Sequence, residues 1–476
     1  MRAYRKEACP SCQRLRQQGS ALQAQVATLQ GVVRQLQEEL ARLRKDSSTS
    51  SKPPSSDLVK PPKLPPPAEQ ARRSIGGQPG HPHHQRPLLP PEQLNGGAYT
   101  HRLDGCPTCG HALQAVGTPP RIVQQIEFLP LSLSIEEHRA LAGWCPHCHK
   151  LHYAPLPAVV ARGGLAGPRL AALIAYLKGA CHASYSTVRK FLRDVAGVSV
   201  SRGQLAKIIA KVSQALDGPY QELLGRLPAE ARLNVDETGH RDEGDQWWTW
   251  CFRAGLYTLF KIDPTRSGDV LLEVLGDEFN GVLGCDYFSA YRRYMRECSA
   301  VVQFCLAHLI RDVKFLMTLP DGRDRAYGER LREALRALFG VIHRRGELGP
   351  RVFQRQLEAA RDAVWWQATT DVPPTPHGRN MAERFAKHGE AYFEFVTTPD
   401  VEPTNNLAEQ AIRFVVIDRH VTQGTRGEMG RRWCERIWTV IATCSQQGRS
   451  VFEYLAAAVA AAFQGTEVPS LLPELR

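Results

Sequence analysis

The chain has 476 residues, 43% of them apolar, so it is long enough for several domains with packed cores. Its formal net charge of +12 and pI near 9.2 favour a polyanionic partner without identifying one. Nothing resembles a signal peptide, and no uncharged apolar run reaches the roughly 18 residues of a membrane span, which argues against a membrane protein and for the cytoplasm. There the 13 cysteines are expected as metal ligands or buried thiols rather than disulfides.

The charge is uneven. Residues 1–90 hold 15 Lys+Arg against 6 Asp+Glu, which is +9 of the +12. A basic arm beside a near-neutral body fits a nucleic-acid tether; a solvated tail is the plainer reading. Within that arm Leu15, Leu22, Leu29, Leu36 and Leu43 recur every seven residues, with Val26, Val33 and Leu40 four residues after three of them. This a/d seam predicts a parallel two-stranded leucine zipper over residues 13–45 and hence a homodimer, although Gly19 weakens its first turn. The alternative is a lone amphipathic helix docked on the body. Residues 51–90 contain 11 prolines and read as an extended linker that ends near residue 100. The HPHH run, His81 to His84, is a weak metal candidate within it.

Cys106-Pro-Thr-Cys109 and Cys145-Pro-His-Cys148 follow, separated by 35 residues. Two such knuckles supply four thiolates, so a Cys₄ zinc ribbon is expected over 101–160, with strands in RIVQQIEF and LSLSIEEHRALAGW. His147 and His149 are alternative ligands. Cys9 and Cys12 form a further pair without a visible partner. Residues 161–227 read as a helical domain resembling helix-turn-helix. Ser184 and Ser201 are expected as N-caps and Gly197 as a stop, and Arg202, Lys207 and Lys211 as an exposed basic face.

From about 228 the pattern alternates. LNVDET, WWTWCFRAG, LYTLFKID and NGVLGCD read as strands and SGDVLLEVLGDEF as a helix. Residues from about 310 to 400 are almost wholly helical, and a helix carrying Glu409 comes after them. This describes a multidomain chain whose α/β RNase H-like core, 228–465, is interrupted by a helical insertion. Asp236 and Asp286 stand at strand ends and Glu409 on the late helix. Three such carboxylates suit a site for Mg²⁺ or Mn²⁺ that cuts and joins phosphodiesters. Each acid also has a plainer role. Asn406 and Glu409 would make a capping box, Glu409 would pair with Arg413, Asp236 would end a strand, and Asp286 would cap a helix. Glu237 competes for a ligand position. Arg413, Arg419, His420, Arg426, Arg431 and Arg432 flank Glu409, and TQGTRGEMG reads as a flexible basic loop for phosphate contact. His308 and Arg311 are expected to face the site, and Cys305 to lie in the core.

With its zipper start, SSKPPSSD, the paired knuckles, VDETGHR, GCDYFSAY, CLAHLIRD, TNNLAEQAIR and ATCSQQGRSVFEYL, the chain resembles bacterial transposases of the insertion-sequence 66 family over nearly its whole length. The resemblance implies a DDE transposase with an RNase H-like fold and the triad Asp236, Asp286 and Glu409. Its partners would be the terminal repeats of its own element, target DNA and accessory proteins of that element. The chain departs from the family at Tyr287, where Gly is usual, and at Gln410, where Arg is usual. The rival readings are a non-catalytic DNA-binding regulator and a nuclease that cuts without joining.

Overall fold

The computed structural model describes residues 10–45, 88–94, 98–104, 106–114, 122–126 and 133–473. The HPHH run, most of the proline-rich linker, Cys9 and the Cys12 side chain lie outside these residues. One compact unit is formed by residues 62–135 and another by residues 1–61 with 136–476. In the first unit the 106–109 knuckle is a turn closed by Cys106 N–H donating to His111 O and Gly110 N–H to Cys106 O, both at 2.8 Å.

The second unit opens with α1 (Pro10–Leu43), 34 residues rich in Leu, Gln, Arg and Ala, which all favour helix. All eight residues of the expected seam are at least half exposed, from 50% at Val26 to 82% at Leu43. Strands β1 (Ala142–Cys145) and β2 (Lys150–Tyr153) form an antiparallel hairpin whose turn is the second knuckle. The strands expected in RIVQQIEF and LSLSIEEHRALAGW are absent from the described residues 122–126 and 133–141, and only the end of the second, from Ala142, is a strand, β1.

Five helices follow: α2 (Ala158–Gly163), α3 (Pro168–Gly179), α4 (Tyr185–Ala196), α5 (Arg202–Ala215) and α6 (Asp217–Arg226). Ser184 and Ser201 cap α4 and α5 by accepting from Thr187 N–H and Gln204 N–H at 3.1 Å, and Gly197 ends α4 in the left-handed region. Lys211 donates to the carbonyls of Arg162 and Gly163, so it braces α2. The span 158–179 is long and apolar enough to cross a membrane by length and composition alone. It is broken between α2 and α3, and Ala171, Ala172, Ile174 and Ala175 are buried in the core.

The centre of the unit is a five-stranded mixed sheet built from β3 (Arg232–Asp242), β4 (Asp245–Arg253), β5 (Thr258–Asp263), β6 (Val282–Cys285) and β7 (Val301–Phe304), in the order β5-β4-β3-β6-β7. β3 to β5 form an antiparallel meander, and β6 and β7 add parallel to β3. α7 (Asp269–Leu275) and α8 (Ser289–Cys298) make the crossovers. The four residues of β7 fell outside every strand expected from the sequence. The helical insertion holds α9 (Leu306–Leu316), α10 (Gly322–His343), α11 (Pro350–Thr369), α12 (Pro376–His388) and the short α13 (Glu394–Thr397). Then come α14 (Asn406–Thr422), α15 (Glu428–Gln446) and α16 (Val451–Gln464). Trp250, Phe252, Phe260, Leu283 and Phe304 fill the core around the sheet.

The outer edge of β5 is satisfied by side chains. Thr258 N–H donates to Thr443 Oγ1 (3.2 Å), Phe260 N–H to Thr439 Oγ1 (3.1 Å) and Ile262 N–H to Glu435 Oε1 (2.7 Å). Alternate donors of the strand meet residues four apart on α15, so one helix face covers the open edge.

Gly284 of β6 lies opposite Asn234 of β3, and a Cβ there would stand 2.5 Å from Asn234 Nδ2. Gly284→Ala is therefore expected to displace that amide and destabilise the protein by about 1–3 kcal/mol, measured by urea unfolding against wild type.

Candidate active site

The sheet register assembles the first two acids. Asn234 of β3 pairs with Gly284 of β6 in parallel, so two residues further on Asp236 stands beside Asp286, just past the end of β6. Asp236 Oδ1 accepts from Glu237 N–H and Asp286 Oδ1 from Phe288 N–H, each at 2.9 Å. Among the described residues, neither carboxylate has an arginine or lysine within ion-pair distance.

Glu409 is brought to them by Asn405, which is 1% exposed. Its Nδ2 donates to Val235 O (2.8 Å), its Oδ1 accepts from Asn234 Nδ2 (3.0 Å), and its backbone N–H points to Cys305 Sγ (3.1 Å). One amide thus ties the start of α14 to β3 and to the start of α9. Asn405, not Asn406, is the N-cap, and Glu409 lies in the fourth helical position, so the capping box is not formed. The acid faces α9 instead: His308 Nδ1 is 3.6 Å from Oε1 and Arg311 Nη2 is 3.7 Å from Oε2. Glu409 Oε1 is buried without a hydrogen-bond partner.

His308 Nε2 lies 3.2 Å from Arg311 Nη1, which can only donate, so the histidine proton sits on Nδ1, toward Glu409. Burial, helped by the Arg311 charge, pushes the His308 pKa down to about 4, and the ring is neutral at pH 7. Burial pushes the Cys305 thiol up to about 11. Cys305, His308 and Glu409 offer ligand atoms that all lie within 4.8 Å of one another.

Glu237 points to the other side of β3. Its fully buried carboxylate pairs with Arg266 (2.6 Å) and accepts from Tyr291 OH. With both oxygens engaged, it is a poor competitor for a metal. Burial first, and then the charges of Glu237, Asp286 and Glu409, hold Asp236 well above the usual carboxylate range. Burial and the Glu237 charge raise Asp286 to about 7, against the Phe288 N–H, Arg266 and Arg384. Half-buried carboxylates held together in this way form a hard oxygen donor set that a divalent cation fits.

The basic residues divide into free and engaged groups. Arg413, His420 and Arg426 are exposed. Arg419 is half-buried and donates to Thr238 Oγ1 at 3.1 Å. Arg431 pairs with Asp242 and stacks 4.2 Å above Trp247, and Arg432 pairs with Glu435. The loop expected to be flexible is pinned to the β3–β4 hairpin: Thr425 N–H donates to Arg241 O (2.8 Å), Glu243 N–H to Thr425 O (3.0 Å) and Gly427 N–H to Asp242 Oδ1 (2.9 Å). Its one basic residue, Arg426, is exposed.

Of the knuckle thiols, Cys109 and Cys148 are exposed and Cys106 and Cys145 half-buried. Backbone N–H groups of Thr108 and Cys109 draw the Cys106 pKa down, and those of Cys148 and His147 do the same for Cys145. Cys148 Sγ also lies 3.4 Å from His152 Nε2, a residue not singled out from the sequence. Asn405 was missed as well, although the doubled Asn ahead of the acidic helix was a visible signal.

Residues 163–432 match the model of the family described as "Transposase IS66 family", and residues 2–87 match one described as a family of unknown function. The chain belongs to the IS66 transposase family. It is also similar to the uncharacterized protein y4qI of Sinorhizobium fredii, with 24% identity over 350 residues, 67% of this chain. It covers 64% of that protein.

Asp286 holds its proton more tightly when folded than unfolded, so its contribution to stability is present below about 4 and lost as pH rises through about 7. In EDTA, the melting temperature is expected to fall over that interval. Asp286→Asn is expected to flatten the fall and raise Tm at pH 8 by about 2–4 °C. Adding Mg²⁺ should raise Tm of the wild type and not of the variant; calorimetry reads all three effects.

Proposed function

We propose that this chain is a DDE-type transposase that cuts DNA at the ends of its mobile element and joins them to target DNA. Asp236, Asp286 and Glu409 are the proposed ligands for Mg²⁺ or Mn²⁺. The observation that carries the reading is the meeting of Asp236, which lies inside β3 rather than at the strand end expected from the sequence, with Asp286 just past β6 and the acid of a late helix, only Glu409 of the three having, among the described residues, an arginine within 4 Å. The sheet order, an antiparallel meander extended by two parallel strands and followed by an acidic helix, supports an RNase H-like core. Bound divalent cations supply Lewis acidity to the attacking water or 3′-hydroxyl and to the departing oxygen. The chain's own residues prepare the site. Asn405 sets where Glu409 stands. Neutral His308 presents Nδ1–H to Glu409, and Arg266 with Tyr291 keeps Glu237 turned away. Arg413 and Arg426 offer exposed cations and His420 an exposed hydrogen-bonding ring for the DNA backbone, with Arg419, Arg431 and Arg311 nearer the sheet.

The exposed seam of α1 supports pairing with a second copy, which would hold two DNA ends in one complex. For zinc, support comes from the knuckle spacing and from the lowered thiol pKa at Cys106 and Cys145. Cys145→Ser is expected to release the metal, read by elemental analysis of the purified protein.

The decisive assay uses a labelled duplex carrying the element's end, with Mg²⁺ or EDTA. Asp236→Asn is expected to lower cleavage by at least about 10³-fold while retaining DNA affinity. Cutting by the variant at the wild-type rate would remove the catalytic assignment. Asn405→Ala, which leaves every acid in place, should cost roughly 10²-fold by misplacing Glu409.

A further inference from the structure

A cavity of about 590 Å³ opens beside the acids, between the end of β6, helices α8, α9 and α12 and, through Arg42 and Lys45, the end of α1. Its wall begins at Tyr287, the residue directly after Asp286. The Arg384 guanidinium lies 3.8 Å over the Tyr287 ring and that of Arg292 lies 4.5 Å over it. Among the described residues, ten buried side-chain nitrogen and oxygen atoms lack a hydrogen-bond partner, and four of them belong to side chains lining this cavity: Arg292 Nε, His377 Nε2, Arg384 Nη2 and His388 Nδ1. All four are nitrogens. The Arg384 side chain is 10% exposed.

Buried polar atoms in folded proteins are almost always paired; Arg292 Nε and Arg384 Nη2 can only donate, and the two imidazole nitrogens donate in one of their tautomers, so the set around this space suits an added acceptor. The cavity's two carboxylates are already engaged, Asp312 with Arg384 at 2.7 Å and Glu383 with Lys387 at 3.2 Å. Burial, with the charges of Arg292, Lys387 and Arg384, lowers the His388 pKa, as a cation-crowded pocket should. A second basic hollow, lined by Arg266, Arg293 and Arg296, shares Arg292. There Arg266 and Arg293 are satisfied by Glu237, Asp269 and Glu297, so it lacks the same demand for an anion.

We infer that the Tyr287 cavity binds a phosphate group of the DNA strand that runs past the catalytic acids, with Arg292, Arg384, His377 and His388 as its donors. Guanidinium forks match phosphate oxygens, and a tetrahedral anion accepts from several directions at once. Because the cavity adjoins Asp286, the phosphate bound there is a close neighbour of the one being cut. The insertion, which supplies three of the four donors, is thereby a second grip on the substrate. This inference rests on the proposed transposase function.

The test is a series of duplexes carrying the element's end, each with one backbone phosphate replaced by an uncharged methylphosphonate. Affinity is measured for the wild type, Arg292→Gln, His388→Gln and Arg384→Lys. The first two change part-exposed side chains, and unchanged melting temperatures establish that each variant folds. At one position the replacement is expected to weaken wild-type binding about tenfold, while each variant binds the unmodified duplex about tenfold more weakly and is indifferent to that replacement. If the wild type and the variants respond alike at every position, the cavity does not hold a DNA phosphate, although the transposase reading stands. Absence of binding to any duplex removes both. Stabilisation of the wild type, but not the variants, by inorganic phosphate that DNA fails to displace would assign the cavity to free phosphate and overturn the inference.

Discussion

Asp236, Asp286 and Glu409 converge at the sheet, with Glu237 close by on the other side of β3, and like charges in a half-buried space repel. The fold treats the four unequally. Glu237 has both oxygens paired, with Arg266 and Tyr291, although its charge still raises Asp236 and Asp286. The other three keep an excess of negative charge, with His308 neutral and Arg311 at 3.7 Å as the nearest relief for Glu409. The repulsion is offset by apolar packing elsewhere, in the buried aromatics around β4 to β7. A cluster held together by its surroundings rather than by its own contacts is preorganised for an added cation.

Much of this was legible in the sequence. The acids announced themselves because each ends an apolar run or opens an amphipathic one, and strand and helix periods are local properties. Ser184, Ser201 and Gly197 were readable as helix ends for the same reason: a cap is a contact between near neighbours. The positions of these residues in three dimensions were not local. Asn405 works through partners about 100 and 170 residues away in sequence, and no spacing rule predicts that. β7 is four residues long and ends in an ordinary apolar pattern, too short for periodicity to distinguish it. The loop after α14 looked mobile from its glycines, yet its backbone is bonded to the β3–β4 hairpin.

The helical insertion has two attachments to the sheet with different chemistry. Tyr287, Phe304 and Tyr392 pack together where α12 and the turn after it meet β6 and β7, with ring centroids 5.0–6.2 Å apart. Beside this apolar contact sit Arg384 and Asp312, a charged pair drawn from two insertion helices. Tyr287, the residue after Asp286, thus also anchors the insertion. Site and insertion are consequently linked through one side chain.

The cover over β5 has a consequence for how the protein is made. Its donors at Thr258, Phe260 and Ile262 wait for acceptors that lie 173–185 residues later in the chain. A ribosome adding about 5–20 residues per second takes roughly 10–40 s to supply them. Throughout that interval the nascent sheet presents an open strand to any neighbouring polypeptide. Synthesis on crowded polysomes is therefore the stage at which this chain is most exposed to pairing with the wrong partner.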